Sequence, residues 1–264
     1  MEKLLIAIIL GIIQGIAEWL PISSTGHLRL AEHFMGEPLP ILYAVTLHVG
    51  TLIVIFAFFR KDIKSILSAL IHLDFRSETG KLIPLIIVGS VPTALIGFIT
   101  SDWIEAKFRD VVPIAVALII CGLLLYASKF AREETDSISY RTALIFGVAQ
   151  GIAIIPGISR SGTTIAVALL LGLKREKAFR FSFLLSIPAI VGALGLTIYK
   201  EHEALALTGF GFTEILVGAT VAMLVGYAAL NVLHRAIENK KFHLFALYCW
   251  IFGTAMLILG LKGF

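Results

Sequence analysis

Apolar residues in this chain come in long unbroken runs instead of the short periodic stripes of amphipathic elements. Six runs, at about residues 41–59, 82–100, 111–128, 181–199, 215–233 and 244–261, have the length and hydropathy of transmembrane helices; about 20 residues suffice to cross roughly 30 Å of hydrocarbon. Two further runs are interrupted. The stretch from Leu4 to Leu20 carries Gln14 and Glu18, and the stretch from Thr142 to Ile155 carries Gln150. Each then meets a proline and a Ser/Gly/Thr turn, PISSTGH (Pro21 to His27) or PGISRSGTT (Pro156 to Thr164), before a shorter segment follows. Irregular backbone is tolerated at membrane depth only where protein buries it or a wet cavity adjoins it, so both stretches are expected to be re-entrant helical hairpins.

The two interrupted stretches are copies of one another. At an offset of 136 positions, Gly11, Gln14, Gly15, Ile16, Ala17, Ile22, Ser23 and Gly26 match Gly147, Gln150, Gly151, Ile152, Ala153, Ile158, Ser159 and Gly162. Gly36 and Gly172 continue the offset, and Gly89 and Gly97 answer Gly218 and Gly226 with their spacing kept. The chain thus divides into halves, 1–136 and 137–264, each with one hairpin and three spans. Three is odd, so the second half enters the bilayer upside down. The expected fold is one all-α integral membrane domain, an inverted-topology repeat of six transmembrane helices plus two re-entrant hairpins.

Composition supports that class and removes others. Hydrophobic residues make up 58% of the chain and charged residues 15%, with a mean hydropathy of +0.93, far beyond what a soluble core requires. The net charge of +4 is dispersed in short clusters between apolar runs, which excludes a nucleic-acid-binding face and reads as a topology signal. Fifteen Lys and Arg residues, in the clusters 60–81, 129–180 and 235–241 with Arg160 left out, fall on one face, against six (Lys3, Arg29, Lys107, Arg109, Lys200 and Lys262) on the other. The basic face is therefore cytoplasmic, with both termini outside a plasma membrane. The first 20 residues lack a cleavage site for a signal peptide. Cys121 and Cys249 lie in apolar runs and read as small buried hydrophobes. Glycine-rich spans allow close helix association within or between chains, a homodimer included.

In an inverted repeat the two hairpin tips meet near the midplane, and their chemistry is complementary. The second tip offers Gly157 and Gly162 for close backbone approach, the hydroxyls of Ser159, Ser161 and Thr164, and Arg160, whose planar fork suits phosphate oxygens. The first offers Gln14 and Glu18 one helical turn apart, then Ser23, Ser24 and His27. A carboxylate, a hydroxyl and an imidazole facing an arginine cradle are the parts of phosphoryl transfer, with Ser24 and His27 both open as the nucleophile. Placing Glu18, His27 and Arg160 in the bilayer costs about 3 kcal/mol each, a burden that a functional site accounts for. His48, inside a span, is expected to serve packing or a helix contact. A flippase or carrier of a phosphorylated lipid or small anion is the alternative, since paired hairpins are also a transporter architecture.

The two motifs, and the later stretches LHVGTL and FSFLLSIPAIVGA, resemble the undecaprenyl pyrophosphate phosphatases, the bacitracin-resistance proteins: QGIAEWLPISSTGH is similar to their (E/Q)xxxE motif and serine/histidine tip, and PGISRSGTT to PGxSRSxxT. The resemblance implies hydrolysis of a polyprenyl diphosphate to the monophosphate in cell-envelope glycan synthesis. It also implies an active site of Glu18, Ser24, His27, Ser159, Arg160 and Thr164 open to the outer face, and a divalent cation, Mg2+ or Ca2+. Gln14 takes the first position of (E/Q)xxxE, leaving one carboxylate. That is few ligands for a dedicated cage, so the ion is expected to arrive on the substrate, with Glu18 as its protein contact.

Overall fold

A computed structural model describes residues 2–36, 39–200 and 210–263. Among them the regular elements are helices: α1 (Glu2–Trp19), α2 (Ser24–Met35), α3 (Ile41–Phe58), α4 (Arg60–Ile71), α5 (Leu82–Lys107), α6 (Val111–Ala127), α7 (Tyr140–Ile152), α8 (Arg160–Leu170), α9 (Arg175–Lys200), α10 (Phe212–Glu238) and α11 (Phe245–Leu261). Six of these, α3, α5, α6, α9, α10 and α11, the third and sixth lengthened by short 3-10 turns, are long and apolar enough to cross a membrane. The chain is a multi-pass, all-α membrane protein.

Five of the six observed spans are longer than the apolar runs, and α3 ends one residue short of its run. α9 begins at Arg175, six residues before the expected start, and α5 continues to Lys107. The reason is electrostatic: charged residues at helix ends stay helical by finding partners at the membrane edge. Arg175 Nε lies 3.0 Å from Glu133 and Arg180 pairs with Asp62, which brings α9 against the loop after α6 and against α4. α4 itself was not expected; its charged and exposed sequence RKDIKSILSALI follows directly on α3 after Phe59. Pro92 and Pro188 sit inside α5 and α9, which run on through them.

Neither interrupted stretch is among the six helices long and apolar enough to cross a membrane. α7 has 13 residues and α8 has 11, roughly 20 Å and 17 Å at 1.5 Å per residue, while α1 is broken from α2 after Trp19. Both second helices begin in the same way. Ser23 caps α2 by accepting from the Gly26 amide, and Ser159 caps α8 by accepting from the Gly162 amide; serine at the cap with glycine three residues on satisfies a free N–H of the first turn. Ser23 does this at φ 67, in the left-handed region, a conformation that costs a non-glycine residue about 1 kcal/mol or more.

Small residues set how the bundle closes. α1 packs along α10, and α7 along α5, at points where a side chain would not fit. A Cβ on Gly11 would lie 2.6 Å from the Gly218 carbonyl, and one on Gly15 would lie 2.8 Å from that of Ala222. On the other pair, a Cβ on Gly147 would fall onto the Gly89 carbonyl, and Thr93 Oγ1 donates to the Gly147 carbonyl at 2.9 Å. Helices that share no hydrophobic driving force in lipid associate through such close backbone approach and hydrogen bonds. Around them a core of Trp19, Phe59, Phe179 and Phe183 fills the interior.

Gly147→Ala is expected to lower thermal stability in detergent by about 1–3 kcal/mol, because its methyl meets backbone that cannot turn aside. Gly192→Ala, where an added Cβ meets nothing within 4 Å, is expected to be neutral or slightly stabilising. Equal melting of the two variants would contradict the close α5–α7 contact.

Candidate active site

The tips of the two helix pairs touch. Arg160, the first residue of α8, donates from Nη2 to Glu18 Oε1 at 2.8 Å, across 142 positions of sequence. Ser161 Oγ donates to the Trp19 carbonyl at 3.0 Å, and a Cβ on Gly162 would lie 3.0 Å from Pro21 Cβ. The approach needs glycine at the second tip: Gly157 has φ 97, and a Cβ there would collide with the Ile114 carbonyl of α6.

Glu18 is the hub. Its Oε2 accepts from Ser24 Oγ at 2.9 Å and from Gln14 Nε2 at 3.1 Å, while Oε1 takes the Arg160 guanidinium. A glutamine at position 14 suits this arrangement, because its amide donates where a second carboxylate would need a proton to do so. The Arg160 guanidinium carbon also lies 5.6 Å from the centroid of the Trp19 ring, so one side of the cation is held by an aromatic and an acid. Both side chains are largely withdrawn from solvent, Glu18 at 9% and Arg160 at 16% exposure.

A cavity of about 850 Å³ opens beside this pair. Its polar lining comes from Glu18, Ser23, Ser24, Thr25, His48, Ser90, Thr93, Gln150, Ser159 and Arg160, with Ser101 and Thr197 at the far end. Its apolar lining comes chiefly from Leu95 and Phe98 of α5, Ile154 after α7, and Ile190 and Leu196 of α9. Along α5 the lining changes from Ser90 and Thr93 to Leu95 and Phe98 before ending at Ser101, and along α9 it runs from Pro188 through Leu196 to Thr197, roughly 14 Å of groove at 1.5 Å per residue. One end can hold a charged head group and the rest an aliphatic tail.

Of the residues singled out in the sequence, Glu18, Ser24, Arg160, Ser23 and Ser159 line the cavity, and Gln14 stands behind Glu18. The others lie elsewhere. His27 faces α11: its Nε2 is 2.6 Å from the Tyr248 hydroxyl and its ring stacks on Phe252 at 4.2 Å. Ser161 is turned to the Trp19 carbonyl, Gly162 is packed on Pro21, and Thr164 Oγ1 donates back to the Arg160 carbonyl at 2.9 Å; these three hold the tip in shape. Ser161 and Gly162, one and two positions past Arg160, are rotated off its face of α8 by helical geometry, while Thr164, one turn on and on the same face, spends its hydroxyl on the backbone.

His48 is the residue that sequence reasoning passed over. It lines the cavity from α3, with Nε2 3.8 Å from Glu18 Oε2. Gln150, the repeat partner of Gln14, also lines it and donates to Thr93 Oγ1 at 3.2 Å. An ionisable side chain within an apolar span was the available signal.

No group of three or more His, Cys, Asp or Glu side chains suited to a metal occurs among the described residues. The one carboxylate at the tips has both oxygens engaged by Arg160, Ser24 and Gln14. These residues do not fit a resident divalent cation, and Glu18 is better described as the partner of Arg160 than as a metal ligand.

The fold and this site define an integral membrane protein with a buried acid–hydroxyl–guanidinium centre at the head of an apolar groove. The chain belongs to the family of the bacitracin resistance protein BacA, which matches residues 7–255. It is 40% identical over 271 residues to the undecaprenyl-diphosphatase of Desulforapulum autotrophicum, covering 96% of this chain and 97% of that one. The undecaprenyl-diphosphatase of Korarchaeum cryptofilum is 42% identical over 263 residues, with 96% and 98% covered, and that of Halothermothrix orenii is 42% identical over 257, with 96% of each.

Breaking the central pair from either side leaves a charge without its partner. Glu18→Gln and Arg160→Gln are each expected to cost about 1–3 kcal/mol in detergent melting, and the double variant less than their sum by about 1 kcal/mol. Strict additivity would mean that the two groups do not interact.

Proposed function

We propose that this chain is a membrane phosphatase that hydrolyses a polyprenyl diphosphate of the undecaprenyl class to the monophosphate and inorganic phosphate, returning the carrier lipid to cell-envelope glycan synthesis. The observation that carries the reading is one cavity lined by Glu18, Ser24 and Arg160 at its polar part and by the apolar side chains of α5 and α9 beyond. A lipid diphosphate has that division of polarity. The names of the relatives point to the same substrate.

Ser24 Oγ already donates to Glu18 Oε2, so the carboxylate is placed to take the hydroxyl proton as Oγ attacks the terminal phosphorus. The Oγ–P bond forms, the bridging P–O bond breaks, and the prenyl monophosphate departs. Arg160 uses one N–H on Glu18 and presents its others to the phosphoryl oxygens, where charge spreads in the transition state. The α8 N-terminus adds a partial positive charge behind it. Since His27 spends its ring on α11, Ser24 is the nucleophile in this reading. A divalent cation, Mg2+ or Ca2+, enters on the diphosphate and offsets its charge when bound.

The same reading makes the halves 1–136 and 137–264 inverted repeats with re-entrant tips. Three features support it: the matched serine caps at Ser23 and Ser159, the pairing of Gly11 with Gly218, and the pairing of Gly147 with Gly89. In the last two, each half lends its hairpin helix to a span of the other. The excess of lysine and arginine on one face orients the termini and the cavity mouth outward.

Detergent-purified protein is expected to release phosphate from farnesyl diphosphate. A carrier would release none. Ser24→Ala should abolish release, and Arg160→Lys, which keeps the charge but loses the fork, should lower kcat by about 10²–10³. Wild-type turnover in the lysine variant would remove the assigned role of the guanidinium.

A further inference from the structure

We propose that His48 is the proton acceptor of the second half-reaction, in which water hydrolyses phosphorylated Ser24. The inference rests on the reading above, with Ser24 as the nucleophile.

The reaction needs such a group. Once Glu18 has taken the Ser24 proton it is an acid, and that proton is required by Ser24 Oγ when the phosphoenzyme breaks. Glu18 therefore cannot also accept the proton of the attacking water. The cavity is lined by three ionisable side chains among the described residues, Glu18, Arg160 and His48. Arg160 does not give up its proton in proteins. His48 is what remains.

Its geometry suits the task. His48 Nδ1 lies 2.9 Å from the Ala44 carbonyl one helical turn back on α3. A carbonyl can only accept, so Nδ1 carries the hydrogen, and the neutral ring has its lone pair on Nε2. Nε2 looks toward the cavity, 3.8 Å from Glu18 Oε2, beyond hydrogen-bond range yet beside the carboxylate that holds Ser24. About a third of the side chain is open to solvent, which gives water a route to it.

The other imidazole is excluded on the same grounds. His27 Nδ1 lies 2.8 Å from the Ser23 carbonyl and is therefore the N–H nitrogen, so Nε2 accepts from the Tyr248 hydroxyl at 2.6 Å. Its lone pair is occupied and its ring is sandwiched on α11. Charged groups that face His48 from the neighbouring elements are Glu18 of α1 and Arg160 of α8; in the phosphoenzyme the first already holds the Ser24 proton, and the second has no lone pair to accept one.

The step balances as follows. Water oxygen forms a bond to phosphorus and the P–Oγ bond breaks; the water proton goes to His48 Nε2, and the Glu18 proton returns to Ser24 Oγ. Inorganic phosphate leaves, and His48 passes its proton to solvent.

The test is a rapid-quench experiment with farnesyl diphosphate labelled on the terminal phosphate. For His48→Ala the expected result is a steady-state rate lower by about 10² or more, label accumulating on Ser24 toward one per protein, and KM unchanged or lower. Added imidazole should restore turnover in His48→Ala and discharge the label. It should not restore His27→Ala, in which a packing contact is lost. Should His48→Ala fold poorly, His48→Asn keeps a donor for the Ala44 carbonyl without the Nε2 lone pair and should trap the same intermediate. Wild-type discharge in both variants would overturn the role of His48, as would the absence of trapped label or of rescue. No phosphate release by the wild type would instead sink the phosphatase reading itself.

Discussion

An ion pair between residues 142 positions apart holds this molecule's chemistry together. Glu18 lies in the last turn of α1 and Arg160 starts α8. A carboxylate or a guanidinium in hydrocarbon is costly singly. Together, and with Ser24 and Gln14 on the remaining lone pairs, they form a satisfied polar knot. The knot is also incomplete in a useful way, since the guanidinium keeps spare donors and Ser24 keeps a free face toward the cavity. Structure and reactivity draw on the same contacts.

Everything around the knot brings the two tips close without filling the space between them. Glycines at the α1–α10 and α5–α7 contacts let the backbones approach more closely than any side chain there would allow. Gly157 lets the second tip bend against α6. Tip residues that touch no cavity still matter here, because Ser161 on the Trp19 carbonyl and Thr164 on the Arg160 carbonyl fix the direction in which the guanidinium leaves α8.

Much of this was legible in the chain. Span number, helix class and the broken hairpins follow from run length and from proline placed before Ser/Gly turns. The repeat is visible as paired glycines, and the meeting of the tips was inferred from the repeat alone. Less legible were the helix ends, because Arg175 and Arg180 extend α9 by pairing with Glu133 and Asp62, residues distant in sequence. The sequence placed His27, in a motif, ahead of His48, in a span; the structure packs α11 against the first and opens the cavity beside the second.

The sequence by itself determined the solvent of this protein, its helices and the kinds of chemical group at its centre, because hydropathy, backbone constraint and charge are properties of residues and their spacing. Tertiary structure alone decided which of those groups share a cavity, and that Nε2 lies beside Glu18 in His48 but on the Tyr248 hydroxyl in His27. Those facts depend on distances between side chains carried by different helices, and a linear pattern holds no record of how helices rotate about their own axes when they pack.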